Sequence, residues 1–310
     1  MFTKTKANVP VSKIAKFLGI KFTGRDFNIK GVTSLDSLKD SHLLFFTEMI
    51  NLTFNLKEKK KFKFSNLKKY SNVLMITDKE NASKIPCLKF LSKNPRLDFE
   101  KVLNHFFVKK IKPTIHLTAV VEKGVILGNN IGIGAHSFIE KGVKIGNNTN
   151  ILHNVIITGK VTIGSDCVIK SNSTIGSEGF GFTRDGKKNF HFPHIGGILI
   201  GDRVWLGSNV SIEKGSLDTT IINDDVVVDD LVQIGHNVKI GRSSQITAGC
   251  VVSGRAVIEE GCWLAPNATI DNAVNIGRNA LVGMGSVVRK NVSENMIVVG
   301  NPAKELRKKK

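Results

Sequence analysis

Residues 222–258 read INDDVVVDDLVQIGHNVKIGRSSQITAGCVVSGRAVI, and every sixth residue of this stretch is aliphatic, as at Ile234 and Ile240. The same six-residue ladder begins at Ile115 and ends at Val288, with two interruptions, and each of its members is Ile, Val or Leu. A short fixed period is the sequence signature of a solenoid, in which each repeat packs only against its neighbours. This ladder therefore decides the fold of the larger part of the chain.

The composition of each six-residue unit indicates how the solenoid closes. The aliphatic member points inward, and the Gly, Asn, Asp and Ser residues between members form corners, because they accept positive φ or bond their own backbone. Three such sides close a triangular coil of about 18 residues, and stacked coils pair as parallel strands. The spacing predicts a mainly β domain over residues 111–290, a parallel β-helix of hexapeptide repeats. It does not reveal the hand of the coil.

Residues 1–110 lack the six-residue period and read as a small α/β domain. The stretch VSKIAKFLGI has the apolar spacing of a short amphipathic helix, and SNVLMITD has that of a buried strand. A second helix is predicted to begin at Asn94 and to turn Phe99 towards the core. At the other end of the chain, residues 291–310 are predicted as a short basic tail.

Composition limits the class of protein. The 310-residue chain is 41% hydrophobic, enough for a sizeable core, and its longest apolar stretches are too short to span a bilayer. The start MFTKTKANVPVSK lacks the apolar core of a signal peptide, which predicts a cytoplasmic protein. The four cysteines form no C-x-x-C pair and lie near no histidine at metal-ligand spacing. They are predicted to be reduced packing residues, with neither a metal site nor a disulfide framework.

The formal net charge is +19, with lysines clustered between residues 57 and 69 and basic residues from 307 to 310. Such a field attracts anionic partners, which include a phosphorylated small molecule, an acidic carrier protein and an anionic membrane surface for peripheral contact. Nucleic acid is not predicted as a partner, because the sequence has no helix-turn-helix, zinc-finger or aromatic-studded basic motif. The alternative is that the lysines only solvate the surface.

The two interruptions of the ladder point to function, because solenoids place insertions in loops on one face, often the binding face. The first, residues 177–199, reads SEGFGFTRDGKKNFHFPHIGGIL, and the second is KGSLDTTI, between Ile212 and Ile222. An aromatic loop of this length is not needed to close a coil, which favours a binding role over simple packing on a neighbour. The predicted substrate-binding residues of the first loop are Phe180, Phe182, His191 and His194.

His236 lies two residues past Ile234, at a corner of an otherwise apolar prism. An imidazole titrates near neutral pH, so a histidine at this place can act as a general base. The corner histidines His116, His136 and His153 can simply face water. No Ser-His-Asp order, P-loop or H-x-x-x-H motif competes with His236. The alternative is a solenoid scaffold or binding module in which His236 has no chemical role.

The chain resembles the UDP-3-O-acylglucosamine N-acyltransferase family in five motifs: GVTSLDSLKDSHLLFF, FLSKNPRLDFEKVL, IGSEGFGF, IGDRVWLGSNVSIEKGSLDTTII and VDDLVQIGHNVKIG. The resemblance implies a left-handed parallel β-helix that follows a uridine-binding N-terminal domain. It also implies a homotrimer, with three sites in the clefts between adjacent prisms, and no bound cofactor.

The activity implied by this resemblance is acyl transfer from the thioester of a hydroxyacyl carrier protein to the 2-amine of a UDP-linked acylated glucosamine, as in lipid A synthesis. His236 matches the catalytic base of the family. Gly254, one coil further on, matches the residue whose backbone N–H binds the oxyanion. Asp229 matches an acidic residue that supports the histidine, and Phe45 matches the aromatic residue that stacks on uracil.

The chain departs from the family in three places. Glu48 and Asn51 replace an Asn and a Tyr of the uracil-binding region, and Ala273 replaces a second histidine. The ending VVGNPAKELRKKK resembles CoA-dependent sugar acetyltransferases rather than the helical extension of carrier-dependent members. The alternative function is therefore a CoA-dependent N-acetyltransferase that modifies a nucleotide-linked amino sugar for a surface polysaccharide.

Overall fold

The structure is a computed structural model that describes residues 2–4, 7–47, 63–110 and 112–309. Glu48 and Asn51 lie outside the described residues. The chain divides into two compact units, residues 1–111 and 112–310. Each unit is organised around buried hydrophobic clusters of its own.

Two helices of the N-terminal unit form where the sequence predicts them. The helix Val11–Phe17 buries one apolar face. The helix Pro95–Val102 begins at Asn94, whose side chain accepts a hydrogen bond of 3.2 Å from the Leu97 backbone N–H. Proline is tolerated at the first helical position because its missing N–H would have no partner there. Phe99 is buried on the inner face of this helix, as predicted.

Four parallel strands form one sheet among the described residues of the N-terminal unit, and the predicted strand Val73–Thr77 lies inside it, buried at every position. The sheet order is Gly31–Val32, His42–Phe46, Val73–Thr77 and Leu88–Leu91. The other elements are the paired strands Phe2–Lys4 and Val108–Lys110, the paired strands Val9–Pro10 and Asn28–Ile29, the helix Lys79–Ala82, the 3₁₀ helices Leu35–Ser37 and Phe64–Lys69, and the π-helical turn Leu103–Phe107.

Over residues 112–309, three sheets of eight, nine and ten strands form the three faces of a parallel β-helix. The eight-stranded face contains Ile126–Leu127, Lys144–Ile145, Val161–Ile163, Gly197–Ile200, Thr219–Ile222, Lys239–Ile240, Val257–Ile258 and Asn275–Ile276. The nine-stranded face contains Val120–Val121, Phe138–Ile139, Ile156–Ile157, Thr174–Ser177, Ser211–Glu213, Gln233–Ile234, Val251–Val252, Thr269–Ile270 and Val287–Val288. The ten-stranded face contains Gly132–Ile133, Asn150–Ile151, Val168–Ile169, Trp205–Leu206, Val227–Val228, Gln245–Ile246, Trp263–Leu264, Leu281–Val282, Met296–Val299 and Lys304–Lys308.

The aliphatic ladder fills the interior of the prism, as the sequence predicts. Most strands turn one residue outward and the next inward, and the inward Ile234 is fully buried and pairs with Val252 of the next coil. Burying one such side chain stabilises the fold by about 1.5–3 kcal/mol, so the stacked column is the main source of stability. Polar corner residues such as Asn130 and Asn148 adopt φ of 60° and 57°, as their residue type favours.

The first interruption leaves the prism as a hairpin. The strands Phe182–Asp185 and Lys188–His191 pair antiparallel, with Phe182 opposite His191. The chain then rejoins the eight-stranded face at Gly197. The sequence predicted a loop over residues 177–199; within it, two short strands are joined by a turn at Gly186, which has φ of 55°.

The segment 291–310, predicted as a tail, instead forms the end of the prism. Met296–Val299 joins the ten-stranded face in parallel, and Lys304–Lys308 returns beside it antiparallel. Ile297 and Val298 are buried, which covers the last coil. Within the described residues, the structure contains no helix long and apolar enough to cross a bilayer.

Candidate functional site

Both interruptions of the ladder open onto one groove of about 980 Å³ beside the corner that joins the nine-stranded and eight-stranded faces. The first interruption supplies aromatic walls, the second supplies short polar residues, and His236 lies between them. The lining residues are Phe180, Gly181, Phe182, Thr183, Phe192, His194, Ser216, Leu217, Asp218, Thr219, Ile221, His236, Asn237, Lys239, Arg255, Val257 and Asn272.

The tautomer of His236 follows from its neighbours. Its Nδ1 lies 3.0 Å from Asn237 Oδ1, and that same atom accepts the Ser216 backbone N–H at 3.0 Å. A backbone N–H only donates, so the Asn237 atom is the oxygen and His236 Nδ1 carries the hydrogen. The neutral ring therefore keeps its lone pair on Nε2. This is the state that a general base requires.

Glu213 contacts the same histidine from the preceding coil. Its Oε2 accepts the His236 backbone N–H at 3.0 Å, and its Oε1 accepts Gln233 Nε2 at 3.1 Å. The pairing of Ile212 with Ile234 sets this register. Glu213 therefore holds the backbone of His236 in place at this corner. Glu213 was not predicted from the sequence; its signal is an acidic residue directly after a ladder member and before an interruption.

Gly254 stacks one coil beyond His236. A Cβ on Gly254 would lie 2.6 Å from His236 Nε2, so a side chain there would displace the ring. The backbone stays close, because Arg255 N–H donates to the His236 carbonyl at 2.8 Å. In the part of the chain that the structure describes, the Gly254 backbone N–H donates no hydrogen bond. A free donor next to Nε2 has the geometry of an oxyanion site.

The first interruption brings His194 to this corner. A Cβ on Gly179 would lie 2.7 Å from Glu213 Oε2, 2.9 Å from His236 Cδ2 and 3.0 Å from His194 Nε2, so only glycine passes between these three groups. The His194 ring is 2% exposed, and its centroid lies 5.1 Å from that of His236. Its Nδ1 donates to the Phe192 carbonyl at 3.0 Å, which leaves Nε2 as the acceptor.

Of the other predicted loop residues, two line the groove and the third, His191, packs on one of them. Phe180 and Phe182 line the groove with ring centroids 5.1 Å apart, and Phe180 is 85% exposed. His191 packs on Phe182 at 5.0 Å and pairs through Nε2 with Glu178 Oε2 at 3.1 Å. Exposed aromatic rings on a hairpin offer apolar area to a ligand or to another chain.

Two predicted residues are not among the residues that line the groove. Asp229 follows the ten-stranded face, at the corner before that of His236, and its side chain accepts the backbone N–H of Asp230 at 2.8 Å. A separation of seven residues is about one side of the coil, so Asp229 lies one corner before His236. Phe45 belongs to the N-terminal unit, where its half-buried ring packs on Phe99 at 4.7 Å.

The cysteines are not positioned for chemistry. Cys167, Cys250 and Cys262 are buried inside the prism. Burial raises the pKa of Cys167 and Cys262 to about 11, which keeps both thiols protonated at neutral pH. Donors of the type that bind divalent metals come together elsewhere, in Glu178, His191 and His194, whose ligand atoms lie within 4.8 Å of one another.

The sequence of this chain is similar to those of known proteins. The sequence matches the family described as Bacterial transferase hexapeptide (six repeats) over residues 142–177 and 255–290. It is 32% identical over 308 residues to UDP-3-O-acylglucosamine N-acyltransferase of Coxiella burnetii, covering 92% of this chain and 86% of the relative. It is also 48% identical to UDP-3-O-acylglucosamine N-acyltransferase 2 of Legionella pneumophila over 87 residues, 28% of this chain; the match spans a quarter (25%) of that relative's length.

Solved structures share the fold. LpxA from Acinetobacter baumannii matches with a TM-score of 0.56 at 21% identity, covering 63% of this chain and 74% of that one. The UDP-N-acetylglucosamine acyltransferase of Francisella novicida matches with a TM-score of 0.58 at 23% identity, covering 63% and 70%. These likenesses show the left-handed parallel β-helix, as predicted.

Proposed function

The chain belongs to the UDP-3-O-acylglucosamine N-acyltransferase family, and we propose that it transfers an acyl group from a thioester to the 2-amine of a UDP-linked acylated glucosamine. The observation that carries this proposal is the pairing of His236 with Gly254. A basic Nε2 and an uncommitted backbone N–H lie side by side, one coil apart, in the wall of a groove. Acyl transfer needs these two groups together: one removes a proton from the nucleophile, and the other stabilises the oxyanion.

In the proposed reaction, the sugar nitrogen attacks the thioester carbonyl carbon while His236 Nε2 takes a proton from that nitrogen. The carbonyl oxygen becomes an oxyanion and accepts the Gly254 N–H. As the C–S bond breaks, the thiolate leaves and takes the proton back from His236, which restores the neutral ring. Asn237 holds the tautomer through Nδ1, and Glu213 holds the His236 backbone through its N–H. No covalent acyl-enzyme is needed.

Hydroxyacyl carrier protein is the proposed donor, and no cofactor stays bound. The strand Lys304–Lys308 is exposed and carries Lys304, Arg307 and Lys308, which would attract an acidic carrier. The same strand favours acetyl-CoA as the second candidate donor, for a nucleotide-linked amino sugar of a surface polysaccharide, because CoA also carries phosphate. We further propose a homotrimer, because the groove lies open on one prism and an adjacent prism would close it. Phe45 is proposed to stack on uracil.

The test supplies each donor separately. Purified protein is incubated with UDP-3-O-acylglucosamine or UDP-glucosamine-type acceptors, with either hydroxyacyl carrier protein or acetyl-CoA, and products are identified by mass spectrometry. The expected result is an N-acylated product with hydroxyacyl carrier protein only. Product with acetyl-CoA alone would replace the lipid A type of activity with the CoA-dependent alternative, and no product with either donor would reject acyl transfer.

A further inference from the structure

The root of the loop hairpin carries three metal-type donors that the proposed reaction does not use as a set. Glu178 directly follows the strand Thr174–Ser177, and His191 ends the second hairpin strand. His194 follows three residues later, on the way back to the prism. Their ligand atoms lie within 4.8 Å of one another. The two ends of the hairpin and the returning chain therefore meet at one point.

We propose that Glu178, His191 and His194 form a binding site for one divalent transition-metal ion of the zinc class, which clamps the hairpin to the prism. Two imidazoles and one carboxylate are a donor set that Zn²⁺ accepts, with a fourth position left open. This inference does not depend on the proposed reaction, since it concerns how the loop is held.

The three side chains would need only a small rearrangement to bind the ion. Around a tetrahedral Zn²⁺ with bonds of about 2.0–2.1 Å, neighbouring ligand atoms lie about 3.3 Å apart. Glu178 Oε2 and His191 Nε2 are already 3.1 Å apart. No pair exceeds 4.8 Å, so side-chain torsions of the two exposed donors can close the set without moving the prism. Glu178 and His191 have side-chain exposures of 41% and 39%, which leaves the ion a path from solvent.

Contacts with groups outside the three donors already orient two of the donor side chains. His194 donates from Nδ1 to the Phe192 carbonyl, which holds the ring in the tautomer with a free Nε2. Lys214 Nζ lies 3.4 Å from Glu178 Oε1, which leaves Oε2 for the ion. Metal-binding histidines and carboxylates usually have outer partners of these two kinds. His194 is also nearly fully buried, so its free Nε2 has little access to water.

The ion would cross-link the two ends of the hairpin. It connects Glu178 to His191 across the whole hairpin, and closing a loop of this kind removes conformations from the open chain. It would thereby hold the exposed rings of Phe180 and Phe182 in place beside the groove.

The experiment measures metal binding by the full chain. Protein treated with a chelator and then dialysed is titrated with Co²⁺, whose visible absorption reports a low-symmetry nitrogen and oxygen site, and Zn²⁺ is titrated in competition with a chromophoric chelator. We expect one ion per chain. Glu178→Gln, His191→Gln and His194→Gln should each weaken binding by at least about 100-fold, since losing even an outer partner costs 10- to 100-fold.

His116→Gln is the matched control, because it removes an exposed histidine of the prism whose Nδ1, within the described residues, has hydrogen-bond contacts only with Thr118. It should bind metal as the unchanged chain does. Hydrogen exchange provides a second measurement: Zn²⁺ should slow exchange over residues 182–191 in the unchanged chain and not in His191→Gln. Equal binding by all four variants, or no Co²⁺ absorption at millimolar Co²⁺, would overturn the proposal.

Discussion

Ordinary corners of the prism and the corner at His236 differ in the hydrogen bonds that their backbone N–H groups donate. At five other corners of the prism, the N–H two residues past a ladder member donates to a side chain at the same place in the next coil. Ser165 N–H donates to Asp202 at 2.7 Å, and Ala135 N–H donates to His153 Nδ1 at 2.9 Å. At the site, the residue in the next coil is Gly254, which has no side chain to offer.

Because Gly254 has no side chain, it leaves space beside His236. The His236 ring turns into the space that a capping side chain would fill, and Glu213 caps the His236 N–H from the preceding coil instead. The N–H of Gly254 is left uncommitted in the described part of the chain. At those five corners the N–H is bonded within the prism, whereas among the described residues the Gly254 N–H stays free beside the His236 ring, where a ligand can accept it.

The largest expected effect comes from removing the ring. His236→Ala should lower turnover by about 10²- to 10⁴-fold, the size of a general-base contribution, while the fold and oligomeric state are kept. Steady-state kinetics and size-exclusion chromatography measure both. His153→Ala is the matched control at an ordinary corner: it should lose only about 0.5–1.5 kcal/mol of stability and keep its turnover. Near-normal turnover in His236→Ala would remove His236 from the mechanism.

A substitution in the interior of an uninterrupted coil should lower the stability of the fold and leave turnover almost unchanged. Ile246→Ala removes a buried ladder residue on the ten-stranded face, so the free energy of unfolding should fall by about 2–5 kcal/mol. Turnover per folded molecule should change little, because Ile246 is not among the residues that line the groove. Denaturant unfolding and kinetics on the folded fraction test this. A selective loss of turnover would mean that the coils and the site are not separate in function.

Gly254→Ala tests the feature that distinguishes the two kinds of corner. The new Cβ meets the His236 ring rather than backbone, so the ring moves aside while the coil still closes. Turnover should fall by about 10²-fold, since both the base and the oxyanion donor are disturbed, with only a small change in melting temperature. Ser253→Ala, one residue earlier, should keep turnover. A Gly254→Ala protein with full activity would contradict the assigned stacking.

The smallest expected effect separates Glu213 from Asp229. Glu213→Gln keeps the shape but removes the charge, and the difference between a charged and a neutral hydrogen bond is about 1 kcal/mol. Turnover should therefore fall roughly five- to tenfold. Asp229→Asn, at the preceding corner, should change turnover less than about twofold, a limit near 0.4 kcal/mol. The reverse order would restore the support role that the sequence assigned to Asp229.

Local patterns predicted the regular parts of the chain well. The helices at Val11–Phe17 and Pro95–Val102 and the buried strand at Val73–Thr77 formed as expected. The segment 291–310 was wrongly predicted as a tail, because a basic composition concealed two buried residues, Ile297 and Val298, that pair with the last coil.

The six-residue period was enough to predict the prism and the stacking of Gly254 on His236, because a constant period turns residue number into position along and around the coil. The contribution of the two interruptions depends instead on how the chain folds in three dimensions. The ladder residues Ile212 and Ile222 are ten positions apart rather than six, so the coil that contains Glu213 is longer than 18 residues. Counting back 18 residues from His236 therefore does not lead to Glu213, although Ile212 pairs with Ile234. Glu178, His191 and His194 meet because a hairpin folds back on itself. Inserted segments have no period, so long-range contacts, which one local pattern cannot encode, determine where their side chains lie.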